Sequence, residues 1–267
     1  MNRYKIMTSA AFLLACAACQ QETAPSDSAS VAPAANVPAR AVPAVKASAA
    51  APQADLATCE AYPGGDSEER QRSKPLPIPA RFAAIMRSDM DHIAVTTLAG
   101  GTLCIDARWT DSTSAMTLTA DGRFLSFDWS GYEAYGHMLV DRAGRGKSID
   151  TGAAPVFSPS RKLLASVEQS ASGFGALNAF AVWQVGPNSL SEAAMIDQLP
   201  QMEDWRIDRW SGDGCIELSA VTFENMPDDN AALKDAPRER FAARAGKGWT
   251  LAPAGGPGAC SAPIKAK

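Results

Sequence analysis

The chain has 267 residues and a formal net charge of −4 at pH 7, from 25 basic and 29 acidic residues. This acidic balance argues against a nucleic-acid-binding protein, because phosphate groups are bound by basic surfaces. The four cysteines beyond residue 50 form no C-x-x-C pair and have no histidine nearby, so no metal site is predicted.

The N-terminal segment predicts export. Arg3 and Lys5 precede an apolar run at residues 6–15, which is too short to cross a bilayer as a stable helix. A basic start followed by a short apolar run is typical of a signal peptide. Residues 1–15 are assigned to it.

The end of the apolar run resembles a known signal. Phe-Leu-Leu-Ala-Cys at residues 12–16 is similar to the lipobox of bacterial lipoproteins, in which the cysteine is lipidated and becomes the new N-terminus. The resemblance implies a lipid on Cys16, with Cys19 as the alternative site and an ordinary secretory signal as the alternative interpretation. Because Ala17 and Ala18 follow and no aspartate does, it also implies an outer-membrane protein that faces the periplasm and touches the membrane only through its lipid anchor.

The next segment, residues 16–54, is predicted to be a disordered tether, because alanine, proline, serine, valine and threonine dominate it and cannot bury a core. The remainder, residues 55–267, is long enough for a single domain and shorter than two independent domains usually need. Removing Arg3 and Lys5 leaves 23 basic and 29 acidic residues, and since the tether is neutral, the domain carries the excess acid. That charge is compatible with a basic protein partner or a neutral ligand.

Disulfides are expected in an exported domain, because its compartment is oxidising. The candidates are Cys59, Cys104, Cys215 and Cys260, which allow three pairings. We favour Cys59 with Cys104 and Cys215 with Cys260, because each pair closes the same interval of 45 residues and joins neighbouring strand regions.

Most of the domain has the pattern of an all-β protein. Short runs of β-forming residues are bounded by glycine, proline, asparagine or aspartate, and no long stretch has helical spacing of apolar residues. Residues 93–108 predict a hairpin around a Gly-Gly turn. Prolines make residues 62–79 a surface strap, and residues 82–90 predict one short helix.

Three related units follow the hairpin and together cover residues 119–252. Each consists of a strand, a long loop, a second strand, a short turn and a third strand. Asp121, Ser160 and Asp213 precede the first strands and are taken as equivalent positions, 39 and 53 residues apart. Repeats of about 40 residues with this order of strands and turns are typical of propeller blades.

The middle unit carries a family resemblance. Phe-Ser-Pro-Ser-Arg-Lys-Leu-Leu-Ala at residues 157–165 resembles the WD40-like repeat of TolB-type β-propellers, with Ser160 and Arg161 in place of that family's Asp-Gly. The other two units keep Asp-Gly and lack Ser-Pro. The resemblance implies an all-β fold of propeller-like antiparallel repeats, as a small or incomplete propeller of four or five blades. A curved β-sandwich is the alternative.

The sequence has no recognised catalytic motif. It lacks a G-x-S-x-G elbow, an H-E-x-x-H pair, a glycine-rich phosphate loop and a calcium loop, so a non-enzymatic protein without a cofactor is predicted. His92 is assigned to a solvated turn before a strand, and His137 to a structural role. Asp208, Asp213 and Glu217 lack the spacing of a cation site and are assigned to a turn and a strand.

Alignment of the units places their long loops on one edge of the domain. The loops cover residues 129–136, 169–177 and 224–237 and combine aromatic with acidic side chains, as expected of a protein-binding rim for a basic partner. The alternative is that the rings cap the core and the acids are solvated. The predicted partner-binding residues are Trp129, Ser130, Gly131, Tyr132, Glu133, Tyr135, Phe174, Glu224, Met226, Asp228 and Asp229.

One of these loops carries a second resemblance. Ser-Gly-Tyr-Glu-Ala-Tyr at residues 130–135 is similar to the Ser-Gly-x-x-Tyr loop of periplasmic lysozyme inhibitors, with spacing that differs by one residue. It implies a lysozyme-like or peptidoglycan-hydrolase partner, since an acidic domain attracts a basic enzyme. We therefore expect a periplasm-facing lipoprotein that binds another protein, and in a sharper form an immunity protein or inhibitor of a cell-wall-degrading enzyme. The alternatives are a scaffold lipoprotein of an envelope complex and a hydrolase with an unrecognised site.

Overall fold

The computed structural model of the chain describes residues 53–60, 72–255 and 260. The chain separates into one unit, Met1–Ser48, and a second unit, Ala49–Lys267. The first unit lies outside the described residues, and so do the predicted signal peptide and both candidate lipidation sites, Cys16 and Cys19. All of the described strands belong to the second unit.

Fifteen β-strands form four antiparallel sheets, and the described residues contain no α-helix, so the prediction of an all-β fold is confirmed. The first sheet consists of β1 (Met86–Ser88), β2 (His92–Thr96) and β3 (Thr102–Asp106). The second consists of β4 (Ser112–Leu118), β5 (Phe124–Gly131), β6 (Ala134–Asp141) and β7 (Lys147–Asp150). The third consists of β8 (Val156–Phe157), β9 (Leu163–Glu168), β10 (Ala179–Val185) and β11 (Leu190–Ile196). The fourth consists of β12 (Glu203–Trp210), β13 (Cys215–Val221), β14 (Glu239–Ala245) and β15 (Trp249–Pro253).

Each of the last three sheets is a meander in which strands consecutive in sequence are neighbours. The three predicted units match the last three strands of these sheets, and each sheet has an additional first strand that the sequence pattern did not reveal. Four successive sheets of this kind give the domain an architecture of propeller-like antiparallel repeats.

The helix predicted over residues 82–90 is not formed. The chain instead makes a 3-10 turn at Ala80–Phe82 and enters β1, where Met86 pairs with Val95 of β2. Phe82 and Met86 are spaced as on one helix face, but both side chains are buried in the core. Pairing of β1 with the hairpin of β2 and β3 therefore overrides the helical spacing of these residues.

The proline-rich strap runs beside β1. Ser88 Oγ donates a hydrogen bond to the carbonyl oxygen of Leu76 at 2.5 Å, and the Leu76 side chain is buried between the first two sheets. Pro75 and Pro77 flank Leu76 and have no N–H group to donate to a neighbouring strand. The strap therefore follows the edge of the first sheet without forming a fourth strand.

The turns before β5 and β9 share one geometry. Asp121 Oδ1 accepts a hydrogen bond from the backbone N–H two residues later at 3.1 Å, and Gly122 has a φ of +71°. Ser160 Oγ accepts from the corresponding N–H at 3.2 Å, and Arg161 has a φ of +57°. Arg161 thus takes the left-handed conformation that glycine adopts at lower cost. The equivalence of Asp121 and Ser160 is confirmed.

The turn before β13 departs from the predicted equivalence. Gly212 has the positive φ there, +65°, so Asp213 follows this position and does not precede it. The Asp213 carboxylate accepts hydrogen bonds from the hydroxyl of Ser160 and, at 3.3 Å, from its backbone N–H. These bonds hold the pKa of Asp213 below its ordinary value. Asp213 therefore ties the fourth sheet to the third.

Three buried clusters join neighbouring sheets. The cluster around Phe127 lies between the first and second sheets, that around Leu164 between the second and third, and that around Phe180 between the third and fourth. The first five residues of β10 are all buried, because both faces of its sheet are covered. Among the described residues, no core cluster joins the fourth sheet to the first. The sheets thus pack in chain order, as successive blades do.

The connections between strands lie on two opposite edges. We name one the loop edge; it carries the connections β1–β2, β3–β4, β5–β6, β7–β8, β9–β10, β11–β12 and β13–β14. We name the other the turn edge; it carries the remaining connections, including those at Asp121 and Ser160. On the turn edge, the Leu98 N–H donates to the Arg142 carbonyl oxygen at 2.7 Å and so links the first two sheets.

Both predicted disulfides are present. Cys59 is bonded to Cys104 of β3, and Cys215, at the start of β13, is bonded to Cys260, which follows β15. The first bond holds the segment that precedes the strap against the first sheet. The second joins the start of β13 to the segment after β15, so the crosslinked loop contains the last three strands of the fourth sheet.

Candidate functional site

The first two of the three predicted loops meet on the loop edge. The Tyr135 N–H, in β6, donates to the Phe174 carbonyl oxygen at 3.2 Å, and Tyr135 forms an isolated parallel bridge with Gly175. The connection β5–β6 is shorter than predicted: strands extend to Gly131 and resume at Ala134, which leaves a two-residue turn. Ser130 and Gly131 are therefore strand residues at the hairpin tip.

Exposed aromatic rings lie along this junction. Tyr132 is 64% exposed, Tyr135 45% and Phe174 42%, although rings of this size usually bury most of their surface. Glu133, also exposed, occupies the turn between the two tyrosines with a φ of +49°. Three of the predicted partner-binding rings are thus presented to solvent at this junction.

Trp109 extends the aromatic surface and was not predicted. It lies in the connection β3–β4 and is 53% exposed. A Cβ atom at Gly131 would lie 1.8 Å from the Trp109 carbonyl oxygen, so only glycine allows the two segments to approach this closely. We name Trp109, Tyr132, Tyr135 and Phe174 the aromatic ridge.

Trp129 is placed differently from the other predicted rings. It lies within β5, is half-buried and packs against the core between the first two sheets. Its indole N–H donates a hydrogen bond to Asp150 of β7. Trp129 therefore holds the second sheet together, as the alternative interpretation of the loop had it, and does not belong to the aromatic ridge.

The partner of Trp129 makes stability depend on pH. Burial raises the pKa of the Asp150 carboxyl above its ordinary value, and hydrogen bonds from Gly152 and Trp129 only partly oppose this. The folded chain keeps a proton that the unfolded chain releases, so the contribution of Asp150 to stability falls as the pH rises above about 4. We expect Asp150→Asn to gain stability relative to the wild type over that rise, measured by urea unfolding at a series of pH values.

The control for this prediction is Asp121→Asn. The hydrogen bond from Thr119 holds the pKa of Asp121 below its ordinary value, so its contribution is present above about pH 4 and is lost as the pH falls. Relative to the wild type, the free energy of unfolding is therefore expected to rise with pH in Asp150→Asn and to fall with pH in Asp121→Asn. The same dependence on pH in both variants would contradict the burial effect at Asp150.

The connection β9–β10 is held by a buried carboxylate. Glu168, at the end of β9, is only 9% exposed, and its Oε2 accepts from the N–H groups of Leu177 and Asn178 at 2.9 and 3.0 Å. Glu168 directly precedes the predicted loop at residues 169–177. Its carboxylate is not solvated but buried, and it holds the loop that carries Phe174. Charge-assisted bonds of this kind are among the stronger ones in proteins.

The third predicted loop continues the loop edge. Glu224 and Asp228 are exposed, whereas Met226 is half-buried and Asp229 caps a 3-10 turn by accepting from the Ala231 N–H at 2.8 Å. A cavity of 210 Å³ separates this connection from β9–β10; its lining includes Gln169, Met202 and Phe223. Phe223 is 52% exposed and adds a fifth ring to the edge.

A second candidate site lies on one face of the second sheet, beside the connection β7–β8. Asp128 of β5 and His137 of β6 are paired across the hairpin, and His137 Nδ1 lies 2.6 Å from Asp128 Oδ1. His137 is 5% exposed, and both residues line a cavity of 340 Å³. An imidazole oriented by a carboxylate can act as a general base, but the Ser126 hydroxyl in the same cavity bonds to Thr117 and not to the imidazole.

The other titratable residues considered from the sequence have separate partners. Asp89 Oδ1 accepts from the backbone N–H groups of Asp91 and His92, both at 2.7 Å. His92 is 5% exposed and is the first residue of β2, so its assignment to a solvated turn is wrong. Asp208 accepts from the Ser219 hydroxyl at 2.8 Å, and Glu217 pairs with Arg209. Within the described part of the chain, no group of three histidine, cysteine or acidic residues is placed to hold a metal ion.

Comparisons with known proteins find a similar solved structure, but no matching family and no matching curated protein. A solved structure of the periplasmic gluconolactonase PpgL of Pseudomonas aeruginosa is similar, with a TM-score of 0.31 and 10% identity, over 62% of this chain and 50% of that one. The chain therefore spans about half the length of the solved chain that it matches. Within residues 53–60 and 72–255, no helix is long and apolar enough to cross a membrane.

The comparison corrects one expectation. The neighbour is described as an enzyme, so the prediction of a non-enzymatic protein is wrong as it was stated. That prediction depended on missing catalytic motifs, and such motifs are short patterns that do not detect residues brought together across strands.

Proposed function

We propose that the protein binds another protein through its loop edge, in the periplasm, while a lipid on Cys16 holds it at the outer membrane. The observation that carries the binding proposal is the aromatic ridge, in which three exposed rings come from three different connections and a fourth, Tyr135, comes from the start of β6. Rings at the centre of a protein interface supply most of its binding energy, because they bury a large area at a small cost in side-chain entropy.

The geometry of the ridge supports recognition without rearrangement. The hairpin tip is fixed by the approach of Gly131 to the Trp109 backbone, and the loop with Phe174 is fixed by Glu168 and by the bond to Tyr135. A pre-organised surface loses less conformational entropy when a partner binds. The ridge is therefore suited to a rigid partner.

The charge of the loop edge supports a basic partner. Glu133 is exposed in the turn directly after Tyr132, and Glu224 and Asp228 are exposed on the connection β13–β14 of the same edge. Acidic groups around an aromatic centre accelerate association with a basic surface and make the rate depend on ionic strength. The sharper form of the proposal is an inhibitor or immunity protein for a basic cell-wall-degrading enzyme.

The sharper form is tested by inhibition of lysozyme-type hydrolases. We expect micromolar chain to slow lysis of peptidoglycan, and Tyr132→Ala with Phe174→Ala to weaken the inhibition by at least tenfold, which corresponds to about 1.4 kcal/mol. Leu98→Ala is the matched control, because Leu98 is 54% exposed on the turn edge. If micromolar chain neither inhibits nor forms a complex, the inhibitor form fails, and a scaffold role in an envelope complex takes its place.

The anchor is tested separately. We expect radioactive palmitate to label the wild type and the Cys19→Ser variant and not the Cys16→Ser variant. Label that is lost only in Cys19→Ser would assign the lipid to Cys19. A chain without label in any form would show an ordinary secretory signal.

A further inference from the structure

The cavity beside His137 contains an unsatisfied polar atom. His137 Nε2 is buried and has no hydrogen-bond partner among the described residues. Since Nδ1 faces the Asp128 carboxylate, the neutral imidazole carries its proton on Nδ1 and Nε2 is an acceptor. A buried acceptor without a partner is costly and rare in native proteins. A donor from outside the chain would satisfy it.

The wall of the cavity is strained. Ala115 lines the cavity in β4 with a φ of +49°, within the stretch where the register between β4 and β5 shifts. A non-glycine residue in this conformation costs on the order of 1 kcal/mol or more, and bulges of this kind accompany binding sites. The bulge changes which side chains of β4 face the cavity, and Thr117 lies directly after it.

The charge of the lining selects the class of ligand. No lysine or arginine lines the cavity, so an anion would be buried without a counter-charge. Asp128 is the one carboxylate in the lining, and its Oδ1 is already engaged by His137, so the cavity offers a cation a single carboxylate oxygen. Phe124, Leu139 and Phe157 supply an apolar wall, and the hydroxyls of Thr117 and Ser126, 2.9 Å apart, supply both donors and acceptors.

We infer that this cavity binds a neutral, hydroxyl-bearing small molecule, one hydroxyl of which donates to His137 Nε2 while an apolar face of the molecule packs against the aromatic wall. The volume, 340 Å³, lies in the range of small-ligand pockets. A ring of the size and chemistry of a monosaccharide meets these requirements. The inference does not rest on the proposed partner, because none of the rings of the aromatic ridge lines the cavity.

The test follows the two histidines by NMR. The full-length chain, labelled with ¹⁵N at histidine, is titrated with glucose and, as the charge-matched contrast, with glucuronate. We expect glucose to shift the His137 Nε2 resonance saturably at millimolar concentration while His92, which lies outside the cavity, stays unchanged. Glucuronate is expected to bind at least tenfold more weakly, because its carboxylate has no basic partner there.

Two threonines of β4 provide matched variants. Thr117→Val removes a cavity hydroxyl at an exposed position, and we expect it to weaken glucose binding about fivefold. Thr113→Val changes the same strand outside this cavity and is expected to leave the affinity within twofold. The inference is overturned if glucose moves His92 as much as His137, if glucuronate binds as tightly as glucose, or if the two valine variants behave alike.

Discussion

Replacing Asp141 by asparagine is expected to lower the free energy of unfolding by about 3–5 kcal/mol. Asp141 is fully buried, and its two carboxylate oxygens accept from Nε and Nη2 of Arg123, both at 2.8 Å. The hydrogen bond to Asp141 raises the pKa of Arg123. Arg123 Nη2 also donates to the Gly186 carbonyl oxygen at 2.7 Å, so the pair joins the second sheet to the third. The asparagine variant would leave a largely buried guanidinium without its counter-charge.

An exposed ion pair in the fourth sheet serves as the control. Arg209 and Glu217 form a two-pronged pair of similar length, 2.7 and 2.8 Å, but the Arg209 side chain is 69% exposed. Water and salt screen such pairs, so Glu217→Gln is expected to change stability far less than Asp141→Asn. Urea unfolding followed by tryptophan fluorescence measures both variants. Equal losses would show that Arg123 and Asp141 do not stabilise the packing of the second sheet on the third.

Removing the disulfide between Cys215 and Cys260 by alanine at both positions is expected to cost about 4 kcal/mol. The bond closes 45 residues, which include the rest of β13 and all of β14 and β15, and its main effect is to restrict the unfolded chain. The bond between Cys59 and Cys104 closes the same interval. Alanine at that pair is therefore expected to cost a similar amount.

Reduction of the wild type separates the crosslink from the packing of the sulfur atoms. Cys215 is buried, so alanine also removes core contacts, whereas a reducing agent breaks the bond and leaves both side chains in place. We expect the reduced wild type to lose most of what the alanine variants lose. A loss below about 1 kcal/mol on reduction would contradict the chain-entropy account.

The sequence predicted the strands that are runs of β-forming residues bounded by turn residues, and it missed β1, β4, β8 and β12. The hairpin of β2 and β3 and the last three strands of each meander are bounded by turn residues, and these were predicted. In β4 and β12 the register shifts, with Ala115 and Asp204 at positive φ, so the period of two is broken. β8 has only two residues and gives no pattern at all. Its existence depends on pairing with β9.

The candidate sites differ in how far they could be predicted. Aligning the repeats was enough to bring Tyr132, Tyr135 and Phe174 to one edge, because the equivalent connections of a meander share an edge. Trp109 was missed because it lies outside the three aligned units, and no local pattern shows that its backbone approaches Gly131. His137 could not be assigned to a cavity, because its partner lies nine residues earlier and only the register of β5 and β6 brings the two together.

The central claim, that the loop edge binds a protein partner, is tested most directly by photo-crosslinking from both edges of the domain. A benzophenone amino acid is placed at Phe174 on the loop edge or at Leu98 on the turn edge of the full-length chain in its own envelope; the two positions are similarly exposed, at 42% and 54%. We predict a discrete adduct with one basic protein from Phe174 and none from Leu98. Equal adducts from both positions, or an adduct from Leu98 alone, would contradict the claim.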